Sequence, residues 1–88
     1  MDRNKVRDMA EYTIALTNEF AKAHGLTDEQ AFRYMDRFEG LDFILDNYEA
    51  VHTQSFFDMV EAVGTVCRRN GGELQPNDIK NYEQLRKI

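Results

Sequence analysis

Apolar residues recur along this chain at the three- and four-residue spacing of α-helices, and no stretch alternates as a half-buried strand would. The densest run lies in residues 40–55. Leu41, Ile44, Leu45, Tyr48 and Val51 share one helical face there, with Phe43 and Ala50 as a smaller apolar edge. A helix apolar over so much of its circumference must be covered on several sides. The segment is therefore expected to be the central helix of a bundle, fraying near Val51 and His52.

The flanking segments carry their own start and stop signals. Residues 3–24 predict a first helix with Val6, Met9, Ala10, Thr13, Leu16, Thr17, Phe20 and Ala21 on one face and Ile14 beside them. Gly25 can end it in the left-handed conformation, with Leu26 packing back on the helix end. Thr27-Asp-Glu-Gln30 is a capping box for a second helix over 28–39, whose apolar face holds Ala31, Phe32, Met35 and Phe38, with Tyr34 at its margin. Gly40 is expected to stop that helix and turn the chain sharply into the central one. Ser55, followed three residues later by Asp58, opens another helix carrying Met59, Val60, Val63, Val66 and Cys67, with Phe56 at its root. Arg68 and Arg69 suit the negative end of its dipole, and Asn70-Gly71-Gly72 stops it. The fold expected is all-α: a compact bundle of four helices over 1–72, then a short helical tail over 73–88. In that tail Ile79, Tyr82, Leu85 and Ile88 form a narrow apolar stripe that either docks on its own bundle or orders on a partner.

An 88-residue chain is one domain with one modest core. Its net charge of −5 is concentrated: residues 26–50 hold seven acids against Arg33 and Arg37, while the rest of the chain balances. No basic stripe for nucleic acid is visible. The acidic stretch matches a basic protein partner or simple solubility. Asp42, Asp46 and Glu49 fall at helical spacing and are the candidate partner-binding acids, with Ile79, Tyr82 and Leu85 as a candidate apolar anchor. The single cysteine, Cys67, cannot form an internal disulfide, the N-terminus has no signal-peptide pattern, and no run approaches membrane-spanning length. A cytoplasmic protein is expected.

Catalytic and metal chemistry find little footing. Glu49-Ala-Val-His52 has the spacing of a di-iron half-site, but His24, the only other histidine, is preceded by Ala21 where the matching glutamate should stand. The expected role of His52 is to end a helix or bond a loop carbonyl. Cys67 falls near a helix C-terminus, where the dipole opposes a thiolate, so it is expected to be a small core hydrophobe. Arg68-Arg69-Asn70-Gly71-Gly72 has two guanidinium groups and a glycine turn but lacks the strand–loop–helix context of a phosphate loop. The expectation is a non-enzyme with no cofactor and no metal.

Ala31-Phe32 with Tyr34-Met35, Gly40-Leu41-Asp42-Phe43, Tyr48-Glu49, His52-Thr53, Ser55, Asp58, Val60-Glu61 and Val66-Cys67-Arg68-Arg69-Asn70-Gly71-Gly72 together resemble a family of small bacterial proteins known as domain of unknown function 3791. The resemblance spans about residues 10–72, and its most specific parts are the His-Thr-x-Ser junction and the Cys-Arg-Arg-Asn-Gly-Gly end. Members are often encoded beside predicted ADP-ribosyltransferase-like toxins. It implies a partner-binding role as an antitoxin or accessory protein, the partner being a cognate toxin with a basic cleft. It carries over no catalytic residue. The competing expectation is a stand-alone structural homodimer, with Phe57 and the tail stripe meeting across a two-fold axis.

Overall fold

Five helices follow one another among residues 2–73, the residues that the computed structural model describes: α1 (Arg3–His24), α2 (Asp28–Arg37), α3 (Gly40–Asp46), α4 (Tyr48–Val51) and α5 (Phe56–Arg69). The described residues contain no strand. The tail stripe of Ile79, Tyr82, Leu85 and Ile88 lies outside them.

Local chemistry sets most of the boundaries. Gly25 ends α1 at φ 65°, and its N–H and that of Leu26 both reach the Ala21 carbonyl. The capping box closes as the sequence predicts: the Gln30 N–H donates to Thr27 Oγ1 at 3.1 Å, and the Thr27 N–H to Gln30 Oε1 at 2.9 Å. Ser55 caps α5 by accepting from the Asp58 N–H at 3.1 Å. At the far end of α5 the Gly72 N–H returns to the Cys67 carbonyl and the Gly71 N–H to that of Arg68, with Gly71 at φ 94°. This pair of bonds is a Schellman closure.

Gly40 has a different role from the one its sequence position suggests. The left-handed residue at the α2–α3 corner is Glu39, at φ 68°, the one non-glycine residue with positive φ among those described. That conformation costs a residue with a Cβ about 1–2 kcal/mol. Gly40 instead begins α3, fully enclosed. A Cβ there would lie 2.8 Å from Cys67 Sγ and 3.0 Å from Val63 Cγ1. Glycine is needed at 40 because α3 crosses α5 with no room for a methyl group.

The expected central helix is two short ones. Asn47 interrupts it at φ −118°, ψ 22°, with both its N–H and its side-chain Nδ2 donating to the Phe43 carbonyl, at 3.2 and 2.9 Å. An asparagine that satisfies a backbone carbonyl with its own amide competes with helix continuation. Leu45 is 45% exposed rather than buried, while its neighbour Ile44, about 100° away around the same helix, is fully enclosed.

The core forms where α1, α2, α3 and α5 meet, around Leu16, Phe20, Met35, Ile44, Val63 and Cys67. The buried residues of α1 all come from its second half, with Tyr12 of the first half packed against the cluster. Val6 and Ile14, expected on or beside its buried face, are 44% and 70% exposed. Phe32, assigned to the buried face of α2, is also largely exposed, while Ala31 and Met35 fill that role. One helical face can be longer than the neighbours available to cover it. Periodicity reports the face and not the cover.

Candidate interaction surface

The N-terminal half of α1, which adds no buried residue to the core, is met by the α3–α4 corner. Tyr12 donates its hydroxyl to the Val51 carbonyl at 3.2 Å, and its ring packs edge-on against Tyr48 and tilted on Phe56 at centroid distances of 5.7 and 5.5 Å. Lys5 Nζ lies 2.7 Å from Glu49 Oε1. This contact raises the Lys5 pKa and lowers that of Glu49, chiefly by the hydrogen bond between them and then by their charges. Both side chains are exposed, so the pair adds little to the stability of the fold.

Between these elements lies an open hollow of about 330 Å³. Lys5, Met9, Leu45, Asp46, Tyr48 and Glu49 are among its lining residues. The three candidate acids are thus divided. Asp46 and Glu49 stand at the hollow, on different helices. Asp42 is one turn before Asp46 on α3, exposed. The continuous stripe expected of one helix is broken at Asn47, yet two of its members reach the same surface feature. Ile79, Tyr82 and Leu85 lie outside the described residues.

The Glu-x-x-His pair is not assembled as a ligand set. Glu49 faces Lys5, and His52 stacks on Tyr48 at 4.8 Å with its Nδ1 2.7 Å from the Tyr48 carbonyl. A carbonyl only accepts, so Nδ1 carries the proton. Among the described residues no group of three or more His, Cys, Asp or Glu side chains could hold a metal ion. The Arg-Arg-Asn-Gly-Gly turn has its N–H groups engaged within the helix end: those of Asn70, Gly71 and Gly72 donate to carbonyls of Val66, Cys67 and Arg68. The turn therefore offers no free cradle of backbone donors to a phosphate.

Cys67 is fully buried, and burial pushes its thiol up to about 11 against smaller opposing effects of the Gly40 N–H and Arg68. Since the thiolate is the reactive form, a thiol reagent is expected to label Cys67 slowly in the folded protein and quickly in denaturant. Fast native labelling, followed by mass spectrometry across a pH series, would contradict this burial. Tyr34 is raised similarly, to about 12, mainly by desolvation. Its buried hydroxyl lies against Gly72, where a Cβ would come within 2.8 Å of both the hydroxyl and the Phe38 ring.

Reading the sequence alone misses Lys5, Met9 and Tyr12 as parts of this surface. No local signal joins Lys5 to Glu49, which are distant in sequence. The Asp46-Asn47 dipeptide, a turn-favouring pair within an apolar run, is the signal that would have exposed the corner.

Fold and surface together define a small all-helical domain bearing an acidic, hollowed face. The chain belongs to the family described as Protein of unknown function (DUF3791), whose pattern matches residues 11–70. No curated protein and no solved structure matches it. No helix among the described residues is long and apolar enough to cross a membrane.

Proposed function

We propose that this chain is a non-catalytic, cytoplasmic protein-binding module that meets a basic surface on another protein. One observation supports this reading above others: Asp36, Glu39, Asp42 and Asp46 are all exposed, and none forms an ion pair among the described residues. Four acids against one base, Arg37, within eleven positions create a local negative field that steers a cationic partner. The family resemblance suggests an ADP-ribosyltransferase-like toxin as that partner. A cleft that holds a pyrophosphate must be basic, and an antitoxin or accessory protein would cover it.

Surface plasmon resonance against the protein recovered by pull-down tests the reading at two salt concentrations. Rim charges govern encounter more than residence. Asp42→Asn with Asp46→Asn is expected to slow association several-fold at low salt and flatten its salt dependence, with dissociation nearly unchanged. The competing homodimer has its own motive in the exposed Ile14 and Phe32. A chain that captures no protein and sediments as a salt-insensitive dimer would replace the antitoxin reading with the structural one.

A further inference from the structure

The hollow beside Lys5 has a composition that solvent exposure alone does not explain. Its apolar part comes from Met9, Leu45 and the Tyr48 ring, and its charged rim from Asp46 and Glu49. Leu45 is nearly half exposed although it sits in the most apolar run of the chain. The surrounding charge is asymmetric. Lys5 is the one cation lining the hollow among the described residues, and it already feels Glu49 and Asp2. Asp46 and, one turn earlier, Asp42 have no ion pair among the described residues. The hollow is too open to enclose most of a small molecule, as a ligand pocket does. It suits a side chain delivered by a larger body that brings its own cover.

We infer that this hollow, between the N-terminal half of α1 and the α3–α4 corner, seats a cationic amphipathic helix of a partner protein. The inference rests on the protein-binding reading and adds to it the place and chemistry of the contact. An apolar side chain of the incoming helix enters over Met9 and Leu45, as in other helix-in-groove contacts. A lysine or arginine one turn away on that helix meets Asp46, and a second displaces Lys5 from Glu49. Lys5 is thus a stand-in for the partner's cation. It keeps Glu49 oriented while the seat is empty, and it leaves readily because both side chains of the pair are exposed.

The probe is a synthetic peptide of roughly four helical turns, built of leucine and lysine with the leucines on one face. It is titrated into the intact chain and followed by heteronuclear NMR. Saturable shifts centred on Met9, Leu45 and Tyr48 are expected. Affinity should fall at least about tenfold when the peptide lysines are replaced by glutamate. Leu45→Ala and Asp46→Asn, both at exposed positions, should each weaken binding by several-fold with an unchanged circular dichroism spectrum. Lys5→Met should strengthen it, since the competing cation is gone; a merely structural role for Lys5 predicts the opposite sign. The proposal is overturned if the glutamate peptide binds as well as the lysine one, or if shifts map elsewhere. It is equally overturned if nuclear Overhauser contacts in the free chain place side chains of residues 74–88 in the hollow. Should a protein partner be recovered whose binding ignores Leu45→Ala and Asp46→Asn, the seat is wrong while the protein-binding reading stands.

Discussion

Ile44→Ala is expected to destabilise the protein by about 2–5 kcal/mol, and Leu45→Ala, one residue on, by less than about 1 kcal/mol. The two residues are near-isomers in size and adjacent in a run that reads as uniformly apolar. What separates them is their place around α3, which seats Ile44 in the core with no exposed surface and leaves Leu45, about 100° further round, 45% exposed. Truncating Ile44 removes transfer energy and leaves a cavity; truncating Leu45 removes a side chain that water already touches. Urea midpoints of the two variants decide the matter. Equal shifts would mean that Leu45 is as well covered in solution as Ile44.

Gly40→Ala is expected to cost about 1–3 kcal/mol, against the usual preference of helices for alanine over glycine. Ordinary propensity would favour the substitution by up to about 1 kcal/mol, so the sign itself is informative. The cost comes from contacts of 2.8 Å to Cys67 Sγ and 3.0 Å to Val63 Cγ1 that the new methyl group would make. Neither neighbour has a flexible end that can swing away. Combining Gly40→Ala with Cys67→Ala should recover part of the loss, with a coupling of about 0.5–3 kcal/mol in a double-mutant cycle. Strict additivity, or a stabilised Gly40→Ala, would show that α3 and α5 do not approach as closely as described.

These two positions also mark where sequence reading succeeds and fails. Helix class, the capping box at Thr27, the Ser55 cap, the Gly25 stop and the glycine end at 71–72 are all local features, written in a few adjacent residues, and each is found where the pattern puts it. Burial of Cys67 was legible for the same reason: its neighbours at helical spacing are valines. The failures are non-local. Gly40 looks like a helix stop because glycine commonly is one, but its need for space arises only when α5 arrives. Leu45, Val6, Ile14 and Phe32 satisfy the periodicity of a buried face, yet no helix among the described residues covers them. The acids at 42, 46 and 49 were legible as a charged set. Their division between two helices, and the Lys5 partner of Glu49, depend on a corner and on α1 and so were not.

The clasp at Gly72 bears on how the molecule carries load. Beyond its Schellman bond to Cys67, this residue is buried against Tyr34 and Phe38 of the α2 end, in space that only a glycine fits. Tension applied to the chain at Glu73, whether from a bound partner or a processive protease, meets this contact before the body of α5. The clasp must yield before Cys67 or Val63 is disturbed, so it acts as a mechanical fuse ahead of the helix that touches α1, α2 and α3 alike.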